Sequence, residues 1–297
     1  MANNKVVLGD GTVLVDLTGD TVTASTLGQG VTAHNAAGEQ ITGTGAIGGG
    51  AFDLGEYNNA GSHNAIYRGK NLGSSVTAEQ WAAIYAGTFD DMFIGDYWEI
   101  NSRIWYIAAF NYWVNMGDTA CSTNHVLIVP ATNLVSGVPM NKTDTTAGAY
   151  AGSNFYTGAN NNSGKSQCVT IIDAAFGSSH ILSHREYLKN AVTNGYESAG
   201  TWYDSTMELL TEQMVYGCRV FGNVANGTAV PASYTIDNAQ LPLFSLNQSF
   251  ICNNTHWWLR DVASSTHFAY VNNGGLCSCT SAAQPSINIR PVFAICA

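Results

Sequence analysis

The sequence predicts an α+β protein, and three observations predict it. Segments whose apolar residues recur every three to four positions are interleaved with segments that alternate every two. The strand-like segments gather at the C-terminal end. With 45% hydrophobic residues in 297, the chain can fill one large core and a small one.

Residues 1–50 differ from the rest. Val6-Val7-Leu8 and Val13-Leu14-Val15 flank Gly9-Asp10-Gly11, which predicts a hairpin. His34 lies in the second half of this module and is expected to pack in a turn rather than hold a ligand. Gly43 to Gly50 carries no hydrophobic period and predicts a linker. Two domains follow, residues 1–50 and 51–297.

In the larger domain, Thr77 and Gln80 have capping-box spacing. A helix is predicted from there, with Trp81, Ile84 and Tyr85 on its apolar face and Gly87 as its stop. Residues 93–100 and 102–108 predict a hairpin turning at Asn101. Val126-Leu127-Ile128-Val129-Pro130 predicts a buried strand ended by proline. Residues 137–168, rich in Gly, Asn, Thr and Ser, predict a long surface loop or set of loops. Three helices are expected next: one beginning at Ile171, one capped by Ser183 and Glu186 with Tyr187, Leu188 and Val192, and one from Ser205 to Gly217. Leu241 to Phe250 and the final block alternate as strands do.

Composition narrows the function. Charged residues are 11%, against about 25% in an average protein, and polarity comes from Asn, Thr, Ser and Gly. The net charge is −10, which argues against nucleic acid and anionic membranes as partners. No window is long and apolar enough to span a bilayer, so no membrane insertion is expected. Met1-Ala2-Asn3-Asn4-Lys5 lacks the apolar core of a signal peptide, so synthesis in a cytoplasm is expected. Seven cysteines, an odd number at irregular spacings, read mostly as buried small hydrophobes, with pairing left open.

The C-terminal block has a fixed-looking apolar frame: Trp257-Trp258-Leu259-Arg260-Asp261, then Phe268-Ala269-Tyr270-Val271, then Ile289-Arg290-Pro291-Val292-Phe293. It resembles the end of C-type-lectin-like domains in bacteriophage virion proteins. Ile66-Tyr67-Arg68-Gly69-Lys70, Phe93-Ile94-Gly95-Asp96-Tyr97-Trp98, His125 to Pro130 and Glu212 to Gly217 extend that resemblance over most of residues 60–297. Asp16 to Thr23 and Gly30 to Thr44 resemble a small module at the ends of phage tail and fibre proteins. The resemblance implies a virion fibre or adhesin for host attachment, assembled in the host cytoplasm and released by lysis. Residues 1–50 would bind other virion proteins or sister subunits, as a homotrimer. The C-terminal loops would bind a bacterial cell-surface receptor, a glycan or a protein. A capsid-decorating or tail structural protein is the alternative.

The candidate receptor-binding residues lie between the frame words. Asn253, Asn254, Thr255 and His256 precede the first. Ser264, Ser265, Thr266 and His267 follow it, and Asn272, Asn273, Gln284 and Asn288 come later. Asn and Ser make adaptable hydrogen bonds of the kind used in antibody loops. Related phage domains include targets of diversity-generating retroelements, which rewrite adenine-containing codons such as those of Asn. Trp257, Trp258 and Leu259 fit core filling, while Trp258 also fits stacking on a sugar. Arg260 and Arg290 read as structural cations bonded to backbone or to Asp261.

No cofactor is expected. Cys252, His256, His267, Cys277 and Cys279 match no zinc spacing, and Gln284-Pro285-Ser286 lacks the carboxylate of a lectin's calcium-binding tripeptide. No nucleophile-elbow, phosphate-loop or His-Glu-x-x-His motif is present, so catalysis is not expected.

Overall fold

The computed structural model describes residues 4–24, 27, 31–43, 54, 57–189, 192–193, 196–197, 200–222 and 239–297. The chain separates into two compact units, residues 1–52 and 53–297. Positions 44–50 of the Gly-rich stretch lie outside the described residues.

Among the described residues, the first unit forms two hairpins. Strands β1 (Lys5–Val7) and β2 (Val13–Asp16) pair antiparallel around a turn in which Gly11 adopts φ +87°, a conformation open to glycine because it lacks Cβ. Strands β3 (Thr32–His34) and β4 (Gln40–Thr42) form the second. The Asn35 side chain accepts from the Ala37 and Glu39 amides and shapes its turn. His34 sits in strand β3 with its side chain exposed, not packed in a turn.

The second unit mixes helices and sheets. Helix α1 (Ala60–Asn64) is capped by Asn59. Helix α2 (Ala78–Ala86) has the complete Thr77–Gln80 capping box and ends at Gly87 in the left-handed region. Ile84 faces the core and Trp81 stacks on His180 at 4.0 Å. Tyr85 corrects the predicted face, because it is 75% exposed. Strands β5 (Tyr97–Ile100) and β6 (Arg103–Phe110) form the predicted hairpin. Its turn is Asn101-Ser102, both at positive φ, the geometry that matches strand twist. Strand β7 (Val126–Pro130) is buried throughout.

Residues 137–168 are not only a surface loop. Met140, Tyr150 and Phe155 are buried in the core, and helix α3 (Asn154–Thr157) lies within the stretch. Helix α4 runs Gly164–Phe176, so the helix expected to begin at Ile171 is already in its last turns there. Its buried stripe is Cys168, Ile172 and Phe176; polar Lys165, Ser166 and Gln167 hid its start.

The helix expected from Ser183 is instead strand β8 (His184–Lys189). The short strands β9 (Val192–Thr193) and β10 (Tyr196–Glu197) follow, then β11 (Gly200–Ser205), antiparallel to β8. The period of two decides the conformation. It turns His184 and Glu186 inward to a buried cation and sends Arg185 outward to Asp118 and Asp204. The helix expected from Ser205 is shorter. Strand β12 (Glu208–Leu209) comes first, and Thr211 then caps helix α5 (Glu212–Tyr216). Leu241 to Phe250 forms helix α6 (Pro242–Leu246) and a 3-10 turn rather than strands. Pro242 in its first turn needs no N–H donor there.

Strands β13 (Trp257–Val262), β14 (His267–Val271), β15 (Cys277–Ser281) and β16 (Pro291–Ile295) complete the chain. One antiparallel sheet has the order β12-β16-β7-β6-β5. The other, β13-β14-β15, carries the C-terminal frame. Trp105, Phe176 and Phe293 meet edge-on or tilted in the core beside the first sheet.

His125, just before β7, is buried. Its Nε2 accepts from the Trp113 amide at 3.1 Å and its Nδ1 lies 2.9 Å from the Thr123 carbonyl. This arrangement fits the neutral ring, with Nδ1 as donor. Burial pulls its pKa down from 6.5 to about 4. The folded protein therefore resists a proton that the unfolded chain accepts. The contribution is complete above the unfolded value of 6.5 and is lost as pH falls through the folded value. Urea unfolding should show about 2 kcal/mol less stability at pH 5 than at pH 7 from this group. A His125 imidazole that titrates near 6.5 by NMR in the folded protein refutes this.

Candidate functional site

The C-terminal frame is buried on both sides of its sheet. Trp257, Trp258, Leu259, Val262, Phe268, Ala269 and Val271 are all buried. Trp258 is 0% exposed, donates from Nε1 to the Val138 carbonyl at 2.7 Å and meets Phe268 and Tyr270 edge-on. It therefore cannot present a ring face to a ligand, which corrects its place among the candidate receptor contacts. The aromatic residues are an internal wall against which turns are mounted.

Two buried arginines hold this wall. Arg290 donates to the Pro130 and Phe250 carbonyls at 2.9 and 2.7 Å and lies over the Trp257 ring. Burial lowers its pKa to about 10, so it stays charged at neutral pH. Arg260 donates to Glu186 at 2.7 Å, and the other Glu186 oxygen meets His184 Nε2 at 2.9 Å. Glu186 was not expected as this partner, because it lies 74 residues away. Asp261 instead accepts from the Glu212 amide.

The structure splits the predicted binding residues between opposite ends of the sheet. Trp257, Val271 and Cys277 are in register at one end; His267 and Ser281 mark the other. Along β14 the ends are roughly 13 Å apart, from its rise of about 3.3 Å per residue.

At the first end stand Asn253, Asn254, Thr255, His256, Asn272 and Asn273. Asn253 donates to Asn133 at 3.2 Å and accepts from the Thr255 hydroxyl at 2.9 Å, while Asn133 donates to Thr255 at 2.5 Å. Asn254 adopts positive φ and is exposed with Thr255 and Asn273. The Asn272 carboxamide accepts from the Gly274 and Leu276 amides, so it builds the turn rather than facing outward. Asn288 bridges the His256 carbonyl and the Gly137 amide and is likewise structural. Leu276 is 68% exposed at this end. Sequence reading missed it, although a lone leucine after Asn272-Asn273-Gly274-Gly275 is a visible signal.

At the second end Ser264 accepts from the Thr266 and His267 amides and closes the turn between β13 and β14. Thr266 Oγ1 lies 2.7 Å from His267 Nδ1. Ser265 is exposed and Gln284 half-buried. The loop from Asn141 to Thr146 docks here: Thr146 bonds the Ser264 and Ser265 carbonyls, and Asp144 accepts from Ser281 and the Ala283 amide. The Ser281 bond holds the Asp144 carboxyl below the usual range.

A third feature came from the stretch read as surface loop. Residues 134–141 bond residues 282–289, and their outer side lines an open groove of about 470 Å³ with residues from 154 to 167. The groove wall is rich in Asn and carries Lys142.

The seven cysteines are free thiols. Burial and the neighbouring Glu212 push the Cys277 thiol well up, which keeps it protonated. Among the described residues no three His, Cys, Asp or Glu side chains are grouped to hold a metal ion, and no helix is long and apolar enough to cross a membrane. Compared with family models, with curated proteins and with solved structures, the chain matches none.

Proposed function

We propose that the chain is a bacteriophage virion surface protein, a fibre or adhesin, that binds a bacterial surface receptor through the turns of a C-type-lectin-like domain. One observation carries this reading. A frame with Trp257, Trp258 and Phe268 fully buried supports exposed, uncharged, hydrogen-bonding residues at Asn254, Thr255, Ser265 and Asn273. Such a surface can bind without strong charge and can change its contacts without disturbing its core. The first end is favoured over the second, because Leu276 adds an exposed apolar contact beside the amides. The protein acts by binding, and a trimer would multiply weak contacts through avidity.

A second reading is a decorating or tail structural protein that binds only other virion proteins. It is favoured by the first unit, where Val6, Val7, Leu8, Val13, Leu14 and Val15 are all exposed on one hairpin. That apolar surface suits attachment to a partner, and it also fits the anchoring end of an adhesin.

The test is binding of the fluorescently labelled protein to a panel of bacterial strains. Strain-selective binding is expected. The combined substitutions Asn254→Gly, Thr255→Ala, Asn273→Gly and Leu276→Ser should cut it at least tenfold, the loss of about 1.4 kcal/mol, while the thermal midpoint stays within a few degrees. Folded protein that binds no strain points to the structural reading.

A further inference from the structure

We infer that the groove beside residues 134–142 is a second binding site, and that its ligand is an acidic saccharide held through a carboxylate. The inference shares the premise of a surface-binding protein but places the contact away from the turns. The groove's volume of about 470 Å³ falls within the roughly 300–1,000 Å³ range of small-molecule sites.

Its charge is inverted relative to the chain. The protein has 21 acidic and 11 basic residues, yet the groove lining includes no Asp or Glu and one lysine, Lys142. That side chain is exposed and forms no ion pair among the described residues. A free ammonium in an acid-free wall selects for an anion.

The remaining polar groups fit sugar hydroxyls, and their scaffold is held in place. Asn154 accepts from the Lys142 amide at 2.8 Å and from Asn160 at 3.2 Å. Asn162 donates to the Pro139 carbonyl at 2.8 Å and accepts from the Gly164 amide at 3.1 Å. These bonds fix the wall and lower the ordering cost of binding. Asn160 and Asn161 both adopt the left-handed conformation, at φ 56° and 60°, and both are exposed at the groove. A carboxamide offers a donor and an acceptor side by side, which matches neighbouring hydroxyls on a sugar ring. Val138 and Pro139 supply a small apolar floor for ring C–H groups. The start of α4 at Gly164 adds its partial positive charge to the same wall.

The test is a panel of oligosaccharides paired by charge: glucuronate-, galacturonate- and sialate-containing chains against their carboxyl-reduced counterparts. Binding to the full chain is followed by NMR, reading the side-chain amide signals of Asn160 and Asn161. At least one acidic member should bind about tenfold more tightly than its reduced form. Lys142→Gln should remove that preference, and Asn161→Asp, which places a carboxylate in the groove, should abolish the binding. Both positions are exposed, so unchanged thermal midpoints are expected. Equal binding of acidic and reduced forms, acidic binding unaltered in Lys142→Gln, or no binding by any acidic member overturns the inference. Cell binding by the turn variants is scored separately, so a missing bacterial receptor leaves this result independent.

Discussion

Trp258→Ala should lower unfolding free energy by about 3–5 kcal/mol, the usual cost of emptying a buried aromatic site. The indole is 0% exposed. Its removal leaves a cavity against Phe268 and Tyr270 and strands the Val138 carbonyl, which it now satisfies at 2.7 Å. Trp258→Phe keeps most of the volume and should cost less. Denaturant unfolding measures both. Receptor binding by the folded fraction should be retained in Trp258→Phe. A stable Trp258→Ala protein that has lost only its binding would restore the sugar-stacking role and refute the core assignment.

The second large effect is expected at Glu186. This carboxylate is buried between Arg260 and His184. Glu186→Ala removes the carboxylate that Arg260 and His184 share in the interior, and breaking a buried pair costs roughly 3–5 kcal/mol. Removing both charges together, as Glu186→Leu with Arg260→Met, should recover part of the loss, since apolar replacement of a buried pair is often neutral. A double-mutant cycle gives the coupling directly. If Glu186→Ala and Arg260→Met are each nearly silent, the pair does not hold the C-terminal sheet to β8.

Glu186 also shows where sequence reading stopped. Ser183 and Glu186 have capping-box spacing, and Tyr187, Leu188 and Val192 fit a helical face. Nothing local says that an arginine 74 residues later needs this carboxylate on the inward face of a strand. The same limit applied at Arg260, for which backbone groups or Asp261 were the expected partners, while Asp261 bonds α5. Trp258 was ambiguous for a related reason: a strand's two faces are distinguishable in sequence, but whether the second face is covered depends on the distant segment holding Val138.

The predicted binding residues illustrate the split between chemistry and placement. Their types were legible, because small amides and hydroxyls interrupt an apolar frame. Their grouping was not. Asn272 and Asn288 turned out to satisfy backbone groups. The rest divide between the two ends of β14, since antiparallel pairing sends consecutive turns to opposite edges. The groove was invisible for a simpler reason. Its walls are 12 to 32 residues apart in a stretch of low hydrophobicity, and the buried Met140, Tyr150 and Phe155 that fold the stretch back are too sparse to show a period.

By itself the sequence determined what local interactions decide: the Thr77–Gln80 helix start, the Gly87 stop, the Asn101 turn, the buried β7 run and the strands of the last block. Each depends on residues within a few positions, through capping bonds, φ preferences and alternation. Tertiary structure alone decided the conformation of residues 183–189, the burial of Trp258 and the assembly of both the turn surface and the groove. In each of those cases the deciding partner lies far along the chain, and the cost of burying an unpaired charge or an unmet hydrogen bond outweighs the local preference.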